Sequence, residues 1–212
     1  ALLMWGRRSA VFGEIEAAEL IECARDCVLV GMHWGPSIAI LSLLRSRDLG
    51  PLLVYRPVQR DIFGPRPWYY LFLARSVRYI RNTCGGRAIT IRGAGQRLRE
   101  ELARPGASVV VLDAPPAPGR STIEGTVLGR TVRFNAGFPE ILEASGRPYC
   151  HYAISLQAGL TGLRQLELEG PQAMESRSEF MQRYCARLDA HLRADPAQWR
   201  IWSAAGQFFV GQ

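Results

Sequence analysis

Short runs of branched apolar residues alternate with helix-like segments along most of this chain. The strongest run, SVVVL at 108–112, favours a central β-strand. Further strands are predicted at 27–32, 52–55, 88–91, 148–156 and, at a sheet edge, 163–169. Helices are predicted at 14–26, 37–47, 67–81, 93–103, 138–145 and 175–193, with a hairpin at 122–134 and a last helix from about Asp195. The alternation predicts an α/β fold with a mixed, mainly parallel central sheet flanked by helices.

Length and composition fit a single domain over residues 1–212. A hydrophobic fraction of 48% is enough for one full core, and no repeat or linker divides the chain. The sequence contains no recognisable signal peptide and no apolar run of transmembrane length. Its five cysteines are odd in number and lack a C-x-x-C pair. We therefore expect a cytoplasmic protein with no metal and no cofactor, and a peripheral position at the inner membrane stays open.

The basic residues narrow the chemistry, because all 26 are arginine and none is lysine. Schiff-base lysines, P-loop lysines and lysine general bases are thereby excluded. Residues 56–104 carry eleven arginines against three acidic residues, a net charge of +8, whereas the whole chain carries +7. This regional charge predicts an anionic partner: an acidic carrier protein, the phosphates of coenzyme A, or an anionic membrane surface. No nucleic-acid partner is expected, since no DNA- or RNA-binding motif accompanies the charge.

The residue that most directly suggests catalysis is His33, which follows the first predicted strand and precedes a turn through Gly35 and Pro36. In α/β folds the catalytic groups gather where strands end. A histidine there can take a proton from a hydroxyl or amine as that group attacks a thioester. The alternative is that His33 only forms local hydrogen bonds and takes no part in catalysis. Of the other two histidines, His151 lines a pocket or packs within its strand, and His191 is expected at the surface.

Five segments carry a resemblance to a known family: VGMHWG, LLVYRPVQ, VVVLDAPP, GRTVRFNAGFPEILEASGRP and DPAQWRIW. Their order and spacing, over about residues 14–205, resemble those of the lipid A late acyltransferases, the lauroyl and myristoyl acyltransferases of the lysophospholipid acyltransferase superfamily. The resemblance implies a glycerolipid acyltransferase-like α/β fold and a histidine within an H-x4-[D/E] motif. It also implies acyl-carrier-protein or coenzyme A thioester donors, and a basic residue near the site at the position of Arg56.

The chain departs from that motif, because the position of the acid is occupied by Ile38. A carboxylate there would orient the imidazole and stabilise its charged form. Three explanations stay open. Another group replaces the acid, with Ser37 and Asp113 as candidates and Glu140 as a more remote one. The acceptor is an amine that needs less activation, or catalysis has been lost and only binding remains.

The remaining candidate residues concern substrate binding. Arg56 and Arg87 belong to the basic region and are candidates for holding an anionic group. Asn135 and Gly137 lie between a strand and a helix, where backbone amides hold an oxyanion or phosphate, or where the residues simply cap the helix. His151 is the fifth candidate. Trp199 and Trp202 are expected to be structural.

The resemblance, together with the position of His33, implies an acyltransferase that moves an acyl group from an acyl-carrier-protein or coenzyme A thioester to a hydroxyl or amine acceptor. An acceptor in specialised, natural-product biosynthesis fits the altered motif. The catalytic candidates are His33, Ser37 and Asp113. The alternatives are a catalytically silent module that binds a carrier protein, and a peripheral membrane enzyme that acylates phospholipid or lipid A.

Overall fold

A computed structural model describes residues 14–57, 67–91, 93–116, 119–156 and 164–210. The strands are β1 (Val28–Gly31), β2 (Leu52–Tyr55), β3 (Ala88–Thr90), β4 (Ser108–Val111), β5 (Thr122–Val127), β6 (Arg130–Asn135), β7 (Tyr149–Leu156) and β8 (Arg164–Gln172). The helices are α1 (Glu14–Asp26), α2 (Ile40–Ser46), α3 (Pro67–Cys84), α4 (Ala94–Leu102), α5 (Gly137–Ser145) and α6 (Arg177–Ala194). Short 3₁₀ turns cover Ser37–Ala39, Gly85–Arg87, Pro196–Gln198 and Trp202–Gln207.

The described strands form one large sheet in the order β3-β2-β4-β1-β7-β8, together with a separate β5–β6 hairpin. The first five strands of the sheet are parallel, and β8 pairs antiparallel with β7 at the edge. The predicted α/β fold with a mixed, mainly parallel sheet is therefore confirmed. Because parallel strands end at the same side, the residues that follow β1, β2, β4 and β7 share one edge of the sheet, the edge formed by the carboxyl ends of these strands.

The helices cover both faces of the sheet, and the strand residues alternate between them. Val28 and Val30 of β1 pack on the face covered by α4, α5, α6 and the β5–β6 hairpin. Leu29, between them in sequence, packs on the opposite face with α1, α2 and α3. This alternation follows from the two-residue period of a strand. The near-continuous burial of β1 is typical of a parallel strand with helices on both sides.

One predicted element is wrong, and one is divided. Instead of a last helix from Asp195, the chain forms 3₁₀ turns at Pro196–Gln198 and Trp202–Gln207. The backbone from the end of the first turn onward is already engaged, because the Gln198 carbonyl accepts from the Gly35 amide and the Arg200 amide donates to the His33 carbonyl. The segment predicted as one helix over 37–47 is a 3₁₀ turn followed by α2.

Within the described ranges, no helix is long and apolar enough to cross a membrane.

Candidate active site

His33 and Asp113 meet at the edge of the sheet where the parallel strands end. β1 and β4 are neighbours, and Gly31 is in register with Val111. The residues two positions further along each strand, His33 and Asp113, are therefore side by side. The His33 amide lies 2.9 Å from both carboxylate oxygens of Asp113, and the ring Nδ1 lies 2.9 Å from Oδ1.

The environment of this pair is asymmetric, because the carboxylate is fully buried whereas the histidine is not. Asp113 is 0% exposed, and the His33 side chain is 41% exposed. A buried carboxylate needs hydrogen-bond donors to replace water. Besides His33, the indole Nε1 of Trp199 donates to Oδ2 at 2.8 Å. The pair thus combines a well-satisfied buried acid with an imidazole that solvent and ligands can reach.

The hydrogen bond to Asp113 determines which ring nitrogen of His33 is available for chemistry. A carboxylate only accepts, so Nδ1 carries the proton and Nε2 is left as the basic nitrogen. Burial lowers the pKa of His33, but the charge and hydrogen bonds of Asp113 outweigh that effect, and the pKa lies above its ordinary value of 6.5. His33 is therefore a stronger proton acceptor than a free histidine.

Two buried tyrosines, Tyr152 and Tyr184, complete the apolar surroundings of Asp113. Burial, followed by the charge of Asp113, raises the pKa of each phenol, so both stay neutral. Tyr184 donates to the Gly31 carbonyl at 3.4 Å. A Cβ atom at Gly31 would lie 2.5 Å from the ring of Tyr152, so the end of β1 accepts only glycine here without displacing that ring.

The turn after His33 is held by residues 198–200. The Arg200 amide donates to the His33 carbonyl at 2.8 Å, and the Gly35 amide donates to the Gln198 carbonyl at 2.9 Å. Gly35 has a φ of +42°, and a Cβ atom there would lie 2.3 Å from the Ile154 carbonyl oxygen. This backbone frame fixes the position of the His33 ring relative to Asp113.

The structure distinguishes between the groups considered as substitutes for the missing motif acid. Ile38 packs against the core shared with α1, α2 and α3. Ser37 is buried, and in the described part of the chain its hydroxyl makes no hydrogen bond to His33. Glu140 pairs instead with Arg177 on α6, at 3.4 Å. Only Asp113 contacts the imidazole among these candidates.

Two residues predicted to bind substrate, Arg87 and His151, lie away from His33. Arg87 precedes β3, at the opposite edge of the sheet, where its guanidinium bonds Glu101 at 3.0 Å and the Gly50 carbonyl at 2.6 Å. These contacts tie the starts of neighbouring strands together. His151 is 1% exposed in the middle of β7, with its ring packed against Phe180 of α6.

The other three candidates are compatible with a place near the site. Arg56 is exposed directly after β2, at the same edge as His33 but separated from β1 by β4. The Asn135 side chain donates to the carbonyls of Ala114 and Pro115, each at 3.2 Å, and so holds the loop that follows Asp113. Gly137 begins α5, with open space beside its Cα.

Sequence reasoning treated Trp199 as structural and missed its hydrogen bond to Asp113. The two residues are 86 positions apart, and no local pattern links them. The only available signal was chemical, because a buried aspartate needs several donors and an indole N–H supplies one. Trp202 packs edge-on against Trp199, with the ring centroids 4.7 Å apart.

No protein-family model matches this chain, and none of the curated proteins matches its sequence. A half-exposed imidazole whose Nδ1 is bonded to a buried carboxylate is suited to general acid–base chemistry. Among the described residues, no group of three histidine, cysteine or acidic side chains is arranged to hold a metal ion.

Proposed function

We propose that the protein is an acyltransferase in which His33 is the general base and Asp113 orients it. Nε2 of His33 takes the proton of a hydroxyl or amine while that oxygen or nitrogen attacks the carbonyl carbon of a thioester. The carbon–sulfur bond then breaks, and the thiolate leaves and receives the proton from the imidazolium. Asp113 stabilises the imidazolium while it exists. The observation that carries the proposal is the hydrogen bond between Nδ1 of the accessible His33 and the buried Asp113.

Direct transfer fits this site better than a covalent acyl-enzyme. In the portion of the chain that the structure describes, no serine or cysteine side chain hydrogen-bonds to His33. An acyl-enzyme requires such a nucleophile next to the base. The acceptor itself must then supply the attacking atom, which is the case for acyl transfer to a substrate hydroxyl or amine.

The choice of a thioester donor rests on two further supports. The ordered segments from VGMHWG to DPAQWRIW resemble those of the lipid A late acyltransferases, whose donors are carrier-protein or coenzyme A thioesters. The excess of arginine over residues 56–104 also favours an anionic donor. The replacement of the motif acid by Ile38 makes lipid A a doubtful acceptor and favours a more specialised hydroxyl or amine.

The test is thioester turnover with acyl-coenzyme A and acyl-carrier protein, each offered with a panel of alcohols and amines. We expect the wild-type protein to form acylated product and His33→Ala to lose at least about 100-fold in rate, the lower range for loss of a general base. Arg133→Gln, which removes a half-exposed surface charge, is the control and should retain full activity. Undiminished turnover by folded His33→Ala would refute the proposal. Tight binding of a carrier protein without any turnover would instead identify a silent binding module.

A further inference from the structure

We infer that a basic recess beside β3 binds the phosphate groups of coenzyme A, through its adenosine 3′,5′-bisphosphate end. We call this feature the basic recess and define it by Tyr55, Arg78, Arg81, Gly85, Gly86 and Arg97. The inference deepens the proposed function, because it assigns the donor's nucleotide to a location. The basic recess has a volume of about 620 Å³, within the range usual for small-ligand sites.

The charge of the basic recess is of one sign. Three guanidinium groups line it, and no acidic residue does. Arg78 and Arg81 are one turn apart on α3 and so project from the same side of that helix. Neither forms an ion pair within the described residues, so both guanidinium groups are open to an outside anion. Arginine forks match phosphate oxygens in pairs, which makes a phosphate ester the natural ligand.

Two other features suit a nucleotide rather than a bare phosphate ion. Tyr55 is one of the lining residues, and a base can stack on an aromatic ring. Gly85 and Gly86 have no atoms within contact distance of a Cβ position, so a ligand can approach the backbone closely. Arg97 is positioned by a hydrogen bond of 2.5 Å to the Gly86 carbonyl and keeps its other N–H groups for a ligand.

The position of the basic recess relates it to His33 without making the two one site. His33 is not among the lining residues. The basic recess extends from Gly85 and Gly86, before β3, to Tyr55 at the end of β2, and β2 and β1 lie on either side of β4. The ends of β2 and β1 are therefore separated by two strand spacings, about 10 Å. Only the Tyr55 end of the basic recess lies at the His33 edge, so a pantetheine arm that leaves the recess there can run along that edge toward the imidazole.

The experiment measures binding of 3′,5′-ADP, adenosine, 4′-phosphopantetheine and coenzyme A by calorimetry. We expect 3′,5′-ADP and coenzyme A to bind with similar affinity and adenosine to bind at least tenfold more weakly. Arg78→Gln/Arg81→Gln should weaken 3′,5′-ADP at least tenfold, since each lost charge-assisted bond is worth about that factor. Arg75→Gln is the matched control on the same helix, outside the recess lining, and should retain wild-type affinity.

His33→Ala separates this inference from the proposed function. That variant should bind 3′,5′-ADP like the wild type even though its acyl transfer is at least about 100-fold slower. The inference is overturned if 3′,5′-ADP fails to bind, or if the double arginine variant binds it undiminished. It is also overturned if 4′-phosphopantetheine binds as tightly as coenzyme A while 3′,5′-ADP does not, because the recognised phosphate would then be that of a carrier-protein arm.

Discussion

At the scale of the residue, the site depends on how completely the carboxylate of Asp113 is satisfied. Its donors are the amide and ring of His33 and the indole of Trp199. When a buried acceptor loses one of its donors, the desolvation of the acceptor is no longer compensated. The folded state is then destabilised by about 1–3 kcal/mol, and by more when the acceptor is charged. Trp199 acts on His33 through Asp113 and is therefore a positioning residue.

Trp199→Phe should lower the free energy of unfolding by about 1–3 kcal/mol, because it leaves Oδ2 of Asp113 without its donor. Trp202→Phe is the matched control. Its indole lies 42% exposed and donates to the Pro196 carbonyl, so water can replace the lost bond, and the cost should stay within about 0.5 kcal/mol. Urea denaturation of the two variants measures the difference. Equal stability of Trp199→Phe and wild type would contradict this role of Trp199.

At the scale of the element, β7 and α6 enclose a histidine that stays neutral. Burial is the main reason that the pKa of His151 is lowered to about 3, and Arg187 and Arg183 of α6 lower it further against the opposing effect of the Val30 carbonyl. His151 therefore contributes to stability as an uncharged core residue. Aromatic rings surround its imidazole: the ring centroids of Tyr149 and Phe180 lie 5.1 Å and 5.9 Å from it.

The sign of the resulting pH dependence follows from linkage. Between pH 6.5 and about 3 the unfolded chain binds a proton at His151 that the folded chain does not, so stability falls as the pH falls. His191, whose pKa is also lowered, acts in the same direction. His33 has a raised pKa, so its contribution is fully present below 6.5 and is lost only as the pH rises through the higher folded value.

His151→Leu should therefore make stability less dependent on pH between 6.5 and 4.5. The wild type loses up to about 1.4 kcal/mol per pH unit through this one group, and the variant lacks that contribution. Denaturant unfolding at several pH values within this window gives both slopes, and the comparison holds even if the variant is less stable throughout. Identical slopes would show that His151 is not held neutral in the folded protein.

The elements also show where prediction from sequence succeeds and where it fails. Helices α1 and α6, the β5–β6 hairpin and the buried strands carry strong local patterns, and all are found close to their predicted positions. The last predicted helix is absent because the Gln198 carbonyl and the Arg200 amide pair with the turn after His33. That pairing is a tertiary contact between residues more than 160 positions apart, and no local propensity encodes it.

At the scale of the whole molecule, the sheet order decides which predicted residues meet. Ser37 is close to His33 in sequence, whereas Asp113 is 80 positions away, yet only Asp113 contacts the imidazole. The reason is that β4 lies next to β1 in the sheet, in a register that places both residues at the same edge. The sequence alone named Asp113 as one of several candidates, and strand adjacency was the missing information.

Whole-molecule topology likewise explains why Arg87 does not join the site. Arg87 precedes β3, and His33 follows β1. The two strands are parallel members of one sheet, so a residue before one and a residue after the other lie at opposite edges. Arg56 follows its strand and stays at the His33 edge. Whether an arginine precedes or follows its strand thus decides at which edge of the sheet it lies, and composition alone does not give that information.

General-base chemistry at this site requires the pairing of His33 with Asp113, and an NMR titration of the histidine rings tests that pairing without any substrate. With only three histidines in the chain, His33 can be assigned by the signal missing in His33→Gln. We predict a pKa for His33 above 6.5 with the proton of the neutral ring on Nδ1, and a lower pKa in Asp113→Asn, because the charge that raises it is removed. A His33 pKa at or below 6.5 that Asp113→Asn leaves unchanged would contradict the pairing.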